Sequence, residues 1–154
     1  MSLSRSYYHV GIVVPEVEPA REHLTELLGI RWGPVMERGS VETFYGKNGE
    51  ILNPLRLCYS LDEPHIELIQ HTPGSMWELN EHSNLHHIGF WSDAIADDTL
   101  AMERVGCPMG VCFRDEHDQP AFFSHNRSPL GFWVEIVDVA NRPSMRETML
   151  QPDV

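Results

Sequence analysis

Two histidines and two glutamates lie at matching places in the two halves of the chain. His9 precedes Val-Gly-Ile and His87 precedes the similar Ile-Gly-Phe, while Glu67 and Glu135 each stand between two branched aliphatic residues. Imidazole nitrogens and carboxylate oxygens are ligands that divalent metals commonly use. Because a duplicated unit supplies one of each per half, the repeat predicts one metal site built from both halves.

The elements that must position these residues occur twice in the order β-α-β-β-β, as judged from hydrophobic periodicity and turn residues. In the first half the predicted segments are a strand at 7–14, a helix at 19–28 and strands at 32–35, 55–61 and 65–70, with a turn at 46–49. In the second half they are a strand at 86–92, a helix at 94–105 and strands at 109–113, 121–125 and 132–137. The apolar stripe predicted for the first helix consists of Ala20, Leu24, Leu27 and Leu28, and Gly29 is its predicted C-terminal stop.

Strand parity selects which polar residues share a face, because successive side chains point to opposite sides of a sheet. His9, Glu67 and Glu135 lie opposite the apolar row of their strands, and so does His87, whereas His86 falls in that apolar row. Each of the four alone is an ordinary strand residue. Together, with matched parity, they favour metal binding, since a carboxylate on a largely apolar strand is costly to bury unless it is paired or bound to a metal.

The bulk composition predicts a single soluble, cytoplasmic domain. Of the 154 residues 42% are hydrophobic, and a net charge of −12 disfavours binding to nucleic acid. No apolar run reaches membrane length, and three cysteines without metal-site spacing suit a reducing compartment. Within the domain at 1–154 we expect module 1 at about 6–71, a linker at about 72–84, module 2 at about 85–139 and a tail or short helix at 140–154.

At these residues the chain resembles the vicinal oxygen chelate superfamily, which includes glyoxalase I, methylmalonyl-CoA epimerase, extradiol dioxygenases and bleomycin-resistance proteins. The resemblance runs from Tyr7 to about Val139 and is carried by the sequences around the two histidines and two glutamates. It implies an α+β fold in which two βαβββ modules form a cup-shaped open barrel around a metal site.

The resemblance also implies roles for individual residues. His9, Glu67, His87 and Glu135 would hold a divalent ion, one of Zn, Ni, Co, Mn or Mg, that polarises a substrate carbonyl. By likeness to glyoxalase-type enzymes, Glu135 is the first candidate for a ligand that also removes the proton α to that carbonyl, and Glu67 is the second.

Within the superfamily, the motifs most resemble methylmalonyl-CoA epimerase and glyoxalase-like proteins. The double histidine at 86–87 and the Phe-Ser-His-Asn-Arg segment at 123–127 resemble motifs of the epimerase. Glu67 departs from the glutamine that the epimerase often has, and Glu42 is a candidate for its second acid. Bacterial glyoxalase I has an arginine and an asparagine for glutathione where this chain has Val13 and His71, which disfavours glutathione use.

Four further residues are candidates for a substrate pocket. His125 and Arg127 precede the Glu135 strand and would face the cup, the alternative being a loop histidine and a solvated arginine. Trp91 and Trp133 share the parity of the ligands and would wall an apolar pocket, the alternative being core or dimer packing.

The predicted function is that of a divalent-metal-dependent isomerase or epimerase, or of a glyoxalase-like lyase. It would abstract a proton α to a metal-bound carbonyl in a small molecule such as an acyl-CoA or a related acid, and a homodimer is expected from the relatives. Two alternatives stay open: an extradiol-type dioxygenase, and a non-catalytic, resistance-type protein that binds a small molecule.

Overall fold

The computed structural model describes residues 6–38, 42–45, 48–51 and 55–152, so the predicted turn at 46–49 lies partly outside them. The described elements, in chain order, are β1 Ser6–Val14, α1 Val17–Leu28, β2 Met36–Arg38, β3 Glu42–Tyr45, β4 Asn48–Ile51, β5 Leu55–Tyr59, β6 His65–Gln70, β7 Leu85–Ser92, α2 Ile95–Arg104, β8 Met109–Arg114, β9 Pro120–Arg127, β10 Trp133–Asp138, a 3-10 turn Val139–Asn141 and α3 Arg142–Thr148.

The described strands form one sheet in the order β2-β5-β6-β1-β7-β10-β9-β8-β3-β4. At its centre β1 and β7 are antiparallel, and each is parallel to the last strand of its own half, β6 and β10 respectively. Read outward from the centre, the first half therefore contributes β1-β6-β5-β2, and the second half contributes its equivalent strands in the same order, β7-β10-β9-β8. This confirms the α+β fold with two βαβββ units.

The hairpin of β3 and β4 was not anticipated, and it belongs to the first half by sequence but to the second by pairing. Strand β3 pairs with β8, whereas β2 pairs with β5 at the opposite edge. Arg38 ends β2, at one edge of the sheet, and Glu42 begins β3, next to the strand at the other edge, so a fully extended chain would separate these two residues by at most about 14 Å. The sheet must therefore curl into a cup.

The two longer helices pack against the convex face of this cup. Helix α1 packs through Val17, Ala20 and Leu24, and α2 packs against Ile136. Gly29 caps α1 in the left-handed region, with φ 69°, as its position predicts. The predicted burial of Leu27 and Leu28 is wrong: both are 64% exposed, because the part of α1 that packs on the sheet ends at Leu24.

The concave face is covered by the segment between the halves and by the C-terminal helix. A core of buried side chains there includes Tyr8, Trp91 and Val137 from the sheet together with Trp77 from the 72–84 segment. Met145, Met149 and Leu150, in and just after α3, pack on the same cluster. The residues that carry the predicted metal site thus lie on an enclosed face.

We predict that Leu68→Ala lowers the free energy of unfolding by about 2 to 5 kcal/mol, since it would leave a cavity beneath α1 where Leu68 is 0% exposed. Leu27→Ala is the matched control and should change stability by less than about 0.5 kcal/mol. Urea denaturation of the metal-free protein measures both. Equal effects of the two substitutions would contradict the packing described here.

Candidate metal centre

The strand register explains how the two halves bring their ligand candidates together. His9 on β1 lies opposite Gly89 on β7, and Gly11 on β1 lies opposite His87. A Cβ atom on either glycine would overlap the imidazole ring of the facing histidine. Glycine is therefore required at both positions, because each ring lies directly over the neighbouring backbone.

The glutamates join the same rows from the outer strands. Glu67 is the partner of Gly11, and Glu135 is the partner of Gly89. Each carboxylate therefore reaches across a glycine to the histidine beyond it, with 3.0 Å between Glu67 Oε2 and His87 Nε2 and 3.0 Å between Glu135 Oε2 and His9 Nε2.

The remaining separations complete one compact cluster. His9 Nε2 lies 3.3 Å from Glu67 Oε2, and His87 Nε2 lies 3.4 Å from Glu135 Oε2. The two Nε2 atoms are 2.7 Å apart. All four side chains are buried. The structure thus brings together all four residues that the sequence selects as ligands.

The donor set fits a divalent cation. Metal–ligand bonds of about 2.0 to 2.2 Å place neighbouring donor atoms roughly 2.8 to 3.6 Å apart, and the four N–O separations fall within that range. His9, His87 and Glu135 also form a group whose ligand atoms lie within 4.8 Å of one another. Two carboxylates and two neutral imidazoles carry a charge of −2, which a divalent ion would neutralise. The cluster could therefore hold such an ion.

The pKa values of the cluster reflect this excess of negative charge. Burial alone would lower the pKa of His9, but its contacts with Glu135 and Glu67 outweigh burial and raise the pKa to about 9. Burial likewise would raise the pKa of Glu67, but the two imidazoles hold it well below its ordinary value. His9 is thus protonated at neutral pH when no metal is bound, and the carboxylates are ionised.

Each glutamate has a different residue opposite it on the next strand. Tyr59 on β5 is the partner of Glu67, and burial together with the charge of that carboxylate raises the pKa of Tyr59 well above its ordinary value. His125 on β9 is the partner of Glu135, but its Nε2 lies 3.7 Å from Glu135 Oε1, which is too far for a hydrogen bond. Both His125 nitrogens and Glu135 Oε2 lack a hydrogen-bond partner. The two glutamates therefore have chemically different surroundings.

The four predicted pocket residues lie in different surroundings. His125 is 1% exposed, faces the cluster, and burial lowers its pKa to about 4. Trp133 is half-buried and lines a cavity of about 120 Å³ beside His86. The guanidinium of Arg127 lies over the Trp133 ring, 4.7 Å from its centroid. Trp91 packs on Tyr8 within the core. Of the two interpretations of Trp91, a pocket wall or core packing, the structure therefore shows core packing.

Sequence reasoning placed His86 wrongly. It was expected in the apolar row, but a β-bulge in β7 between Leu85 and His87 leaves His86 outside the regular alternation. Its ring lies against that of His87, with centroids 5.2 Å apart. The double histidine at 86–87 was the only sequence signal for this arrangement. Nothing in the sequence indicated that Tyr59 would lie opposite Glu67. Val41 lies outside the described residues, as does the side chain of Glu42, the candidate second acid.

A family model described as the Glyoxalase/Bleomycin resistance protein/Dioxygenase superfamily matches residues 8–123. The chain therefore belongs to that superfamily, which confirms the resemblance to the vicinal oxygen chelate proteins. No curated protein sequence matches the chain. None of the helices in the described ranges has the length and apolar composition of a membrane span.

Several solved structures share the fold at low sequence identity. A single-residue variant of Streptomyces coelicolor methylmalonyl-CoA epimerase, in complex with 2-nitronate-propionyl-CoA, is 16% identical with a TM-score of 0.60, and the match covers 90% of this chain and 99% of that one. The methylmalonyl-CoA epimerase of Mycobacterium tuberculosis is 13% identical at a TM-score of 0.60, over 94% and 96% of the two chains. A hypothetical protein from Bacillus halodurans is 15% identical at 0.60, over 88% and 94%. At these identities the likeness shows the fold alone.

We predict that the apparent affinity for Zn²⁺ rises about tenfold per pH unit from about pH 6.5 to 9 and then levels off. The reason is that the ion must displace the proton of His9, whose pKa is about 9 in the metal-free protein. Competition with a chelator of known affinity measures this. The variant His82→Gln, which changes an exposed histidine, should keep the same slope, and an affinity independent of pH would contradict the prediction.

Proposed function

We propose that the protein is a divalent-metal-dependent isomerase or epimerase, or a glyoxalase-like lyase, that removes a proton α to a carbonyl group. The observation that carries the proposal is the buried cluster of two imidazoles and two carboxylates on the concave face, with N–O separations of 3.0 to 3.4 Å. Membership of the superfamily supports it, since that superfamily includes enzymes of this kind.

His9, Glu67, His87 and Glu135 would hold the metal. A bound divalent ion supplies Lewis-acid stabilisation of the negative charge that develops on the substrate oxygen as the proton leaves. The candidate ions are Zn, Ni, Co, Mn and Mg. The enclosed, largely apolar surroundings of the cluster would strengthen these charge interactions by excluding water.

Glu135 is the better candidate for the base, and the cross-strand partners support this choice. Glu67 lies opposite the phenol of Tyr59, whereas Glu135 lies opposite the imidazole of His125 and its Oε2 has no hydrogen-bond partner. A carboxylate oxygen that accepts no hydrogen bond can turn toward a substrate at a smaller cost in free energy. Glu67 would accordingly act as a fixed ligand, and Glu135 would be both a ligand and the proton acceptor.

An acyl-CoA or a related acid is the first substrate class to test. The structures of similar fold include methylmalonyl-CoA epimerases, and one of them is in complex with methylmalonyl-CoA. His125 and Trp133 are proposed to line the substrate side of the site, because one faces the cluster and the other lines the adjacent cavity. Arg127, over Trp133, would face the substrate's anionic part.

The alternatives are less well supported. An extradiol-type dioxygenase uses Fe(II) held by two histidines and one carboxylate, and the second carboxylate of this cluster would crowd the positions that oxygen needs. A resistance-type binding protein would not require the four metal ligands. A homodimer and a cytoplasmic location stay predictions from the sequence.

We predict that Glu135→Gln lowers the rate of solvent-deuterium exchange at the α-carbon of a 2-methyl acyl-CoA by at least about 10²-fold, because the amide cannot accept the proton. Glutamine keeps an oxygen ligand, so metal analysis should still find about one ion per chain. Mass spectrometry of the recovered substrate measures the exchange.

Glu26→Gln, at an exposed position on α1, is the matched control and should exchange at the unchanged rate. Undiminished exchange in Glu135→Gln would rule out its role as base. A greater loss in Glu67→Gln with metal retained would transfer that role to Glu67.

A further inference from the structure

His86 makes two well-formed hydrogen bonds in its bulge. Its Nε2 lies 2.8 Å from the carbonyl oxygen of Met76, and its Nδ1 lies 2.9 Å from Nδ1 of His87. The first bond links strand β7 to the segment that joins the two halves. The second links His86 to a residue of the metal cluster.

These two bonds determine which nitrogen of each ring carries hydrogen. A carbonyl oxygen can only accept, so His86 Nε2 must be the donor to Met76. A neutral His86 then has an unprotonated Nδ1, which accepts from Nδ1–H of His87. A neutral His87 is then left with a bare Nε2, the atom that faces His9, Glu67 and Glu135. Burial and the neighbouring imidazoles hold the pKa of His86 well below its ordinary value, which agrees with a neutral ring.

We propose that His86 is a positioning residue that fixes His87 in the tautomer and ring orientation needed to ligate the metal through Nε2. Partners of this kind, one step removed from the metal, orient its ligands and raise their basicity. The inference rests on the metal site of the proposed function. It assigns to the first histidine of the pair a role that strand parity had excluded.

The equivalent position in the other half holds no such partner, which makes the two histidine ligands unequal. A bulge between Tyr7 and His9 places Tyr8 where His86 stands in β7. The Tyr8 ring packs edge-on against His9, with centroids 4.2 Å apart, and His9 Nδ1 has no hydrogen-bond partner. His9 Nε2 lies 2.7 Å from His87 Nε2, so the two rings also meet on the side that would face the metal. His87 Nδ1 thus has a hydrogen-bond partner, and His9 Nδ1 has none.

His86, His87 and His125 also form a group compatible with a metal ion. A second ion there is disfavoured because both nitrogens of His86 are already engaged in hydrogen bonds. The geometry therefore gives His86 a hydrogen-bonding role and not a ligand role.

The experiment compares the wild type with His86→Leu and His86→Asn. Asparagine can place its side-chain oxygen near the position of Nδ1 and accept from His87, whereas leucine removes the acceptor. Long-range ¹H–¹⁵N spectra of the metal-free proteins report the tautomer of His87, and chelator competition reports Zn²⁺ affinity. Thermal unfolding shows that each variant is folded.

We expect the Nδ1–H tautomer of His87 in the wild type and in His86→Asn, and a shift toward Nε2–H in His86→Leu. Zn²⁺ affinity should fall about 10- to 100-fold in His86→Leu and be largely restored in His86→Asn. An unchanged tautomer or unchanged affinity in folded His86→Leu would overturn the inference, as would an Nε2–H tautomer in the metal-free wild type. Absence of Zn²⁺ binding by the wild type would instead overturn the proposed function, since the tautomer is read without metal.

Discussion

Two ionised carboxylates buried against the same pair of imidazoles are the constraint on which this site depends. Buried negative charge is unfavourable unless a cation compensates it, and despite burial the two carboxylates raise the pKa of His9 beside them to about 9. The sheet provides the geometry for this compensation. Gly11 and Gly89 leave room for each histidine and for the glutamate beyond it, so four donor atoms from four strands meet across the two halves.

Duplication builds this cluster with near symmetry, and the surroundings then remove the symmetry. His87 is held by His86, but His9 has only the ring of Tyr8 beside it. Glu67 lies opposite the phenol of Tyr59, but Glu135 lies opposite the imidazole of His125, whose nitrogens have no hydrogen-bond partner. A site with two identical halves would offer no distinction between a fixed ligand and a proton acceptor. The proposed roles of Glu67 as a fixed ligand and of Glu135 as the proton acceptor rest on these unequal surroundings.

The segment between the halves and the C-terminal helix cover the concave face, and this covering keeps the four metal-ligand candidates buried. Trp77 comes from a segment that looks polar in the sequence, yet it is buried in the hydrophobic core. Met145 of α3 packs against the same hydrophobic core from the C-terminal end. Met76 in the same segment supplies the carbonyl oxygen that fixes His86. The connection between the modules is therefore part of the site's architecture as well as a link in the chain.

The sequence by itself determined the α+β repeat, the strands that carry the ligands and the types of the four donors, because period-two alternation and the glycines beside the histidines are local properties of each strand. It did not determine the bulges at Tyr8 and His86, the pairing of β3 with β8, or the residues opposite Glu67 and Glu135. The alternation of side chains along β7 predicted the wrong face for His86 because it took no account of the bulge there. These features depend on the register between strands that are distant in sequence, and only the packed sheet fixes that register.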